Sequence, residues 1–356
     1  SHGVEKRSKV RSRIVADQLV KLIKEADHVV IMGHRMSDLD AIGSAEGVLR
    51  ICKICDVPAV IAVRRDATLA GSLINALIAA GQEDDFIDPK GALPIISQRT
   101  LCIVVDTYQL GLVESREILE KCGKVAVIDH HRKGVGFIEK ADLVCHEPYA
   151  SSASELVTEF LQYVGDRDDK PNRIEAEGLL SGIMLDTRDF TLHTGVRTFE
   201  AAAALRRYGA ETEHVRQLFD VSMVEYTTKA TLVSEAQMYR GCAITVSGEV
   251  APEARVAIAQ AANDLLTIQN VEASFVAVQV GGGVNISARS LGAVNVQVIM
   301  ESLGGGGHQT MAAAQLKHIT PEAVRSRIQT AIDQYREAQK KSGLESESEQ
   351  KKKDKQ

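Results

Sequence analysis

Six residues with side chains that commonly bind metals lie at or just beyond the ends of apolar runs in the first part of the chain. They are His34, Asp38, Asp40, Asp106, His130 and Asp186. Apolar runs of this length are typical of strands buried on both faces of a parallel sheet, and ligands bind at the carboxyl ends of such strands. Because four carboxylates brought together with two imidazoles would repel one another without cations, the pattern predicts a pair of divalent metals.

Each of these residues also has a structural explanation that needs no metal. Asp38 or Asp40 could cap the helix that follows them, but this leaves His34 and the second aspartate unexplained. Asp106 taken alone is typical of a turn. The run Asp129-His130-His131 is more specific, because three ionisable residues directly after a buried strand are costly unless they have a role. The common placement of these residues therefore favours a metal site.

A metal pair at this place would define a class of reaction. Two cations about 3.5–4 Å apart can share a water molecule, lower its pKa toward neutrality and bind the oxygens of a phosphoryl group. Mixed imidazole and carboxylate ligands suit Mn²⁺, whereas an all-thiolate site would favour zinc. The predicted chemistry is hydrolysis of a phosphoester or a phosphoanhydride.

A second region, later in the chain, offers groups that bind phosphate. Arg289 lies in a strand pattern, and its guanidinium can donate two hydrogen bonds to one phosphate. A loop of four glycines and a histidine follows, in which backbone amides can approach an anion closely. This loop is formed by Gly304, Gly305, Gly306, Gly307 and His308. The glycines could instead form a flexible hinge, and Arg289 could be an ordinary exposed strand residue.

The composition limits the partners that the chain can have. A net charge of -6 argues against a large nonspecific nucleic-acid surface, but it is compatible with a small anionic substrate held by metals. Hydrophobic residues make up 44% of the chain and charged residues 25%, as in globular proteins. We find neither an apolar run long enough to span a membrane nor a signal peptide. Six dispersed cysteines fit a reducing compartment.

Strand and helix patterns divide the chain into two α/β domains. Short strands alternate with helices from residue 28, which predicts a doubly wound parallel sheet, and residues 132–148 are predicted to be a loop. Strand patterns that resume after a helical stretch predict a smaller α/β domain with a mixed sheet. The predicted segments are a linker helix over 1–27 with a tag remnant at 1–3, a first domain over 28–197, a helical connector over 198–240, a second domain over 241–339 and a disordered tail over 340–356. Because the chain does not begin with Met, we interpret it as part of a longer protein.

Several longer strings resemble the DHH phosphoesterase family with its DHH-associated C-terminal domain. They are His34-Arg-Met-Ser-Asp38-Leu-Asp40, Val105-Asp106-Thr107, Asp129-His130-His131, Ser151-Ser-Ala-Ser-Glu155-Leu, Gly182-Ile-Met-Leu-Asp186-Thr and Gly304-Gly-Gly-Gly-His308. The resemblance covers about residues 4–335. Within the family, the chain is similar to the catalytic part of cyclic-di-AMP phosphodiesterases.

The resemblance implies two Mn²⁺ ions per chain that share Asp106 as a bridging ligand. One ion would be bound by His34, Asp38 and Asp106. The other would be bound by Asp40, Asp106, His130 and Asp186. His131 would face the substrate phosphate rather than a metal, and the implied catalytic group is Asp106, Asp129, His130 and His131.

The implied reaction is hydrolysis of cyclic di-AMP to the linear dinucleotide pApA by attack of a metal-bridging hydroxide. Arg289 and the loop Gly304–His308 would bind the nucleotide, and Asn295 either contacts a base or ribose or caps a helix. Three alternatives stay open. The chain could be a nanoRNase or pApA phosphatase of the same family, a family II pyrophosphatase, or a module that binds cyclic dinucleotides without cleaving them.

The resemblance also implies partners and a cellular location. We expect a homodimer that binds no specific long nucleic acid. Full-length relatives carry membrane helices upstream of this region, so we expect the whole protein to lie in the cell membrane. The part represented by this chain is then expected to be soluble and to face the cytoplasm.

Overall fold

The fold is that of a computed structural model, which describes residues 2–131 and 136–353. The chain divides into two compact units, unit 1 over Ser1–Asp220 and unit 2 over Val221–Gln356. No helix within the described residues combines the length and apolar character needed to cross a membrane.

Unit 1 contains a parallel sheet with helices on both of its faces. The strands are β1 His28–Met32, β2 Ala59–Ala62, β3 Phe86–Ile87, β4 Thr100–Val105, β5 Lys124–Asp129 and β6 Leu143–His146. The helices are α1 His2–Glu25, α2 Leu39–Ile54, α3 Gly71–Ala79, α4 Pro89–Ala92, α5 Arg116–Lys121, α6 Ala153–Leu161, α7 Arg173–Thr187, α8 Val196–Arg207 and α9 Thr212–Gln217. The strand order is β3-β2-β1-β4-β5-β6, with every neighbouring pair parallel. This is the doubly wound sheet that the sequence predicts.

Strand β4 shows why an uninterrupted apolar run forms the middle of this sheet. Its side chains alternate between two hydrophobic cores, with Ile103 and Val105 in one and Cys102 and Val104 in the other. Both faces are therefore buried, as expected for a central parallel strand. The strand order reverses between β1 and β4, and ligand sites form outside the carboxyl ends of strands at such a switch point.

Unit 2 contains the mixed sheet predicted for the second domain. Its strands are β7 Gln237–Tyr239, β8 Cys242–Ser247, β9 Ala273–Val280, β10 Gly283–Ser290, β11 Gly306–Gly307 and β12 Met311–Lys317. Its helices are α10 Met223–Ser234, α11 Val256–Leu265, α12 Val296–Glu301 and α13 Pro321–Lys353. The order is β11-β12-β10-β9-β8-β7, in which only β8 and β9 pair in parallel among the described residues.

Three segments differ from the sequence predictions. The predicted loop over 132–148 contains strand β6, although residues 132–135 lie outside the described residues. The predicted connector is not a separate element, because Leu205 and Val215 pack in the core of unit 1 whereas Leu232 packs in unit 2. The predicted linker helix also belongs to unit 1, since α1 buries Leu19 and Ile23 in the same core.

Residues 340–353 of the predicted disordered tail are helical in the structure, and residues 354–356 lie outside the described residues. Helix α13 continues through Ser342 as far as Lys353. The reason lies in composition, since the Glu, Lys and Gln residues that make this segment polar are also good helix formers.

Candidate metal centre

His34, Asp38 and Asp40 lie in the loop and first helical turn that follow β1. Asp38 is the N-cap of α2, because its Oδ1 accepts a hydrogen bond from the amide of Ala41 at 2.9 Å. Asp38 therefore both caps α2 and belongs to the cluster of candidate metal ligands. The Nδ1 of His34 donates to the carbonyl of Arg35 at 2.8 Å, which favours the tautomer with an available Nε2 lone pair.

Asp106 follows β4 directly and lies between two histidines. Its Oδ2 is 3.2 Å from Nε2 of His34, and its Oδ1 is 3.3 Å from Nε2 of His130. The backbone of Asp106 has a φ of 62°, in the left-handed region that few residues other than glycine, asparagine and aspartate adopt. Such strain in a buried residue is typical of functional sites.

His130 follows β5 and contacts carboxylates from three different parts of unit 1. Besides Asp106, its Nε2 lies 3.0 Å from Oδ2 of Asp186 and 3.7 Å from Oδ2 of Asp40. Asp186 lies in the last turn of α7, so a helix rather than a strand end delivers this side chain. All six residues predicted to bind metals are thus brought to one place.

The last two positions of the Asp129-His130-His131 motif differ in their surroundings. The Nδ1 of His131 donates to Oδ1 of the fully buried Asp129 at 2.7 Å, and the His131 side chain is 53% exposed. Its Nδ1 lies 3.9 Å from Oδ1 of Asp106. Asp129 therefore orients an imidazole that remains accessible at the edge of the cluster.

The donor atoms form overlapping groups that fit metal ions. In each group one ligand atom per residue lies within 4.8 Å of the others; the groups are His34, Asp38 and Asp106; Asp40, Asp106, His130 and Asp186; and Asp106, Asp129, His130 and His131. Within the described part of the chain, the buried Oδ1 of Asp106 and Nε2 of His130 form close ion pairs but have no contact with hydrogen-bond geometry. Buried polar atoms left in this way are costly, and a cation between them would remove that cost.

Ionisation in the cluster follows from burial and mutual charge. Burial raises the pKa of Asp40 well above its usual range, and the charges of Asp106 and Asp186 raise it further. Burial would also raise the pKa of Asp106, but His130 and His34 hold it well below its usual value. Burial would lower the pKa of His34, yet Asp106 and Asp38 raise it to about 12. Protons on these side chains therefore offset negative charge that bound cations would otherwise offset.

One part of this arrangement was missed by sequence reasoning. The two carboxylate oxygens of Asp40 accept hydrogen bonds from the backbone amides of Ala153 and Ser154, the first residues of α6. The sequence Ser152-Ala-Ser-Glu155 matches a capping-box pattern, which predicts where α6 begins but does not predict that the start of α6 contacts Asp40. That meeting depends on how helices pack, which no local pattern encodes.

The residues predicted to bind substrate lie in unit 2. Arg289 is half-buried on β10, and its Nη1 donates to the carbonyl of Ala288 at 2.9 Å. In the glycine loop, Gly306 and Gly307 form the short edge strand β11, and His308 follows it. Asn295 caps α12 through its Oδ1, so the capping alternative applies.

Comparison with known proteins finds the same two modules. Residues 28–183 match the DHH family, N-terminal domain, and residues 250–339 match the DHHA1 domain. The curated cyclic-di-AMP phosphodiesterase GdpP of Geobacillus thermodenitrificans is 45% identical over 345 residues, which make up 96% of this chain and 52% of that protein. The chain thus spans about half the length of this relative.

Two further similarities cover nearly whole proteins. The bifunctional oligoribonuclease and PAP phosphatase NrnA of Thermus thermophilus is 26% identical over 85% of this chain and 89% of its own length. The crystal structure of an exopolyphosphatase-related protein from Bacteroides fragilis has a TM-score of 0.78 at 21% identity, covering 92% of this chain and 98% of that one. At this identity the structural similarity supports the fold alone.

Proposed function

Because the chain belongs to the DHH family and carries a DHHA1 domain, we propose that it is a Mn²⁺-dependent phosphodiesterase that hydrolyses cyclic di-AMP to pApA. The observation that carries this proposal is the cluster around Asp106. Two groups of ligand atoms meet at its carboxylate, one containing His34 and the other containing His130. This is the arrangement that two cations sharing one carboxylate require.

The proposed metal ligands follow from these groups. One Mn²⁺ is assigned to His34, Asp38 and Asp106. The second is assigned to Asp40, Asp106, His130 and Asp186. The donor set, imidazole nitrogens with several carboxylate oxygens and no thiolate, supports Mn²⁺ rather than a structural zinc.

The remaining residues of the motif have roles that the contacts support. When bound, two cations lower the pKa of a water molecule and offset negative charge on phosphoryl oxygens. His131 is held by Asp129 and stays exposed, so it is placed to donate a hydrogen bond to a phosphoryl oxygen of the substrate. Because the fully buried Asp129 accepts this hydrogen bond, His131 keeps a fixed orientation.

The choice of substrate rests on the relatives and on unit 2. The GdpP relative is named for cyclic di-AMP, which supports this dinucleotide as the substrate. Arg289 and the loop Gly304–His308 are proposed to bind the nucleotide at a phosphate, with Asn295 contributing its amide. Binding of one small dianionic molecule also agrees with the net charge of -6.

The decisive experiment is product identification with the metal-loaded chain. Cyclic di-AMP, cyclic di-GMP and pApA are incubated in parallel with Mn²⁺, and the products are separated by chromatography. We expect pApA to accumulate from cyclic di-AMP. Replacing Asp129, His130 and His131 together by alanine should abolish turnover while the circular dichroism spectrum is retained. His318→Asn, an exposed position in unit 2, is the matched control and should keep full activity.

A second enzymatic function is favoured by one observation. The NrnA relative matches over most of its own length and is named as a bifunctional oligoribonuclease and PAP phosphatase. Faster hydrolysis of pApA than of cyclic di-AMP would select this function instead. A module that only binds nucleotides is distinguished by metal content, because fewer than one Mn²⁺ per chain after reconstitution would support it.

The expected assembly and location extend this proposal. We propose a homodimer, and attachment to the cell membrane through segments that precede this region in a longer protein. Sedimentation of the chain tests the first, and fractionation of cells that express the longer protein tests the second.

A further inference from the structure

We propose that the N-terminus of α6 and the missing side chain of Gly182 hold Asp40 in position for one of the two metals, so that this metal can be lost without the other. The inference rests on the proposed function, since it assumes two metal positions. It concerns residues that are not proposed metal ligands themselves and that act on the position of Asp40 relative to α6 and α7.

The first observation is how Asp40 is held. Its side chain is fully buried, its Oδ1 accepts from the amide of Ser154 at 2.8 Å, and its Oδ2 accepts from the amide of Ala153 at 2.9 Å. Both donors are free amides of the first turn of α6, where the helix dipole also favours a negative charge. Each oxygen keeps a second lone pair, so the carboxylate can be fixed by the helix and still bind a cation.

The second observation is that there is no space for a side chain at Gly182, which lies one turn before Asp186 on α7. A Cβ at this position would lie 2.3 Å from Oγ of Ser154, 2.8 Å from Cα of Asp40 and 2.8 Å from its Oδ1. The backbone atom cannot move aside as a flexible side chain can. Any larger residue therefore has to separate α7 from Asp40, from α6 or from both.

The third observation is that the other metal position has independent support. Asp38 is fixed by the amide of Ala41 within its own helix, and His34 is fixed by the carbonyl of Arg35. Neither contact involves α6 or Gly182. Displacing Asp40 should therefore empty one position and leave the position at His34 and Asp38 able to bind.

The first test is Gly182→Ala, with Gly178→Ala as the matched control. Gly178 lies one turn earlier on α7. A Cβ there would meet the ends of the Leu73 side chain at 3.1 and 3.2 Å, and it would lie at an ordinary contact distance of 3.7 Å from Cα of Gly43. Mn²⁺ bound per chain is measured by equilibrium dialysis with elemental analysis. Electron paramagnetic resonance then distinguishes a spin-coupled pair from a single ion. Asp40→Ala provides the one-metal reference.

We expect Gly182→Ala to bind the second Mn²⁺ about 10–100-fold more weakly and to give the spectrum of Asp40→Ala. Gly178→Ala should keep the coupled pair. A lower melting temperature alone would not move the metal count, so this readout separates positioning from general stability.

A second variant keeps the proposal testable if Gly182→Ala does not fold. Ala153→Pro removes the amide that donates to Oδ2 of Asp40, at the first position of a helix, where proline is well tolerated. The extended backbone of Ser152 is compatible with a following proline. Met223→Pro is the matched control, because it places proline at the same position after a serine cap in unit 2.

The outcomes separate this inference from the proposed function. Loss of one Mn²⁺ in Ala153→Pro, with two retained in Met223→Pro, supports it. Two tightly bound Mn²⁺ and a coupled spectrum in folded Gly182→Ala or Ala153→Pro would overturn it and leave the proposed function standing. Fewer than two Mn²⁺ in the unaltered chain would instead contradict the proposed function.

Discussion

At the scale of single residues, Asp106 combines three properties that few side chains share. It carries a negative charge, it is 2% exposed, and its backbone is left-handed. Asparagine and aspartate both tolerate this backbone, because their short polar side chains stabilise it locally. Replacing Asp106 by asparagine therefore removes the charge of this side chain while keeping its shape and backbone conformation.

Asp106→Asn should keep the fold and lose both metals. The amide has nearly the same shape and tolerates a φ of 62°, but it cannot offer a charged oxygen to each of two cations. We expect affinity at both positions to fall by at least ~100-fold, judged from the value of charged ligands, as measured by calorimetric titration. Asp56→Asn is the matched control, since Asp56 is exposed and also left-handed, with a φ of 53°. Retention of one tight Mn²⁺ in Asp106→Asn would show that this carboxylate does not bridge.

At the scale of elements, α2 and α7 pack closely because glycines line their contact. A Cβ on Gly43 would lie 2.3 Å from the carbonyl oxygen of Gly178, and a Cβ on Gly47 would meet Val157 and Leu179. This close approach brings the first turn of α2, which carries Asp40, near the last turns of α7, which carry Asp186. The helix pair therefore sets the spacing between Asp40 and Asp186 in the proposed metal site.

Gly43→Ala should destabilise unit 1. The added methyl group meets backbone rather than a side chain, so the helices must separate, at a cost of about 1–3 kcal/mol in the free energy of unfolding. Urea denaturation measures this cost. Gly71→Ala, also at a helical position but facing open space, should be neutral or slightly stabilising. Equal stability of the two variants would show that the contact between α2 and α7 yields easily.

A second element-scale prediction concerns a buried acid on α2. Burial raises the pKa of Glu46 well above its ordinary value of 4.5, and the charges of Asp85 and Glu175 raise it further. The folded protein thus keeps a proton that the unfolded chain releases. The stability due to this proton is complete below pH 4.5 and is lost as the pH rises toward the folded pKa.

Glu46→Gln should therefore stabilise the protein at pH 8 and have little effect near pH 4. The amide has nearly the same shape as the protonated acid, but it does not titrate. We expect a gain of about 1–2 kcal/mol at the higher pH, measured by urea denaturation. The exposed Glu120→Gln is the control. A loss of stability at pH 8 would mean that Glu46 is ionised and well compensated.

The sequence predicts elements well where one local pattern dominates. The apolar runs predict β1, β4 and β5 because every side chain of these strands is buried except those of His28 and Lys124. These strands deliver His34, Asp106 and His130 to one edge. Strands β3 and β11 were missed because two residues cannot establish a period. Strand β6 was missed because it is only four residues long and partly exposed at the edge of the sheet. The hydrogen bonds from the first residues of α6 to Asp40 could not be predicted, because they depend on tertiary packing.

At the scale of the whole molecule, the proposed metals and the proposed phosphate-binding loop belong to different units. All six proposed metal ligands lie in unit 1, whereas Arg289 and the glycine loop lie in unit 2. Each unit has its own hydrophobic cores, formed by separate sets of residues. A ligand that binds one folded unit stabilises that unit by mass action.

Mn²⁺ should therefore protect unit 1 more than unit 2 from hydrogen exchange. At a free concentration 100 times its dissociation constant, one bound ion adds about 2.7 kcal/mol to the unfolding free energy. We expect slower exchange in β1, β4 and β5, and little change in β9 and β10. Phe275→Ala, which removes a buried side chain from unit 2, is the control and should leave the Mn²⁺ count unchanged. Uniform protection of both units would contradict this prediction.

The two backbone hydrogen bonds to the Asp40 carboxylate also affect which cations the proposed site can bind. Calcium takes six to eight oxygens at about 2.3–2.6 Å and relies on carboxylates that can swing between one-point and two-point attachment. A carboxylate whose two oxygens both accept backbone hydrogen bonds cannot change its mode of coordination in this way. Smaller cations with fewer ligands do not require such a change. The fixed orientation of the Asp40 carboxylate is therefore expected to disfavour calcium, and an excess of calcium should displace manganese poorly.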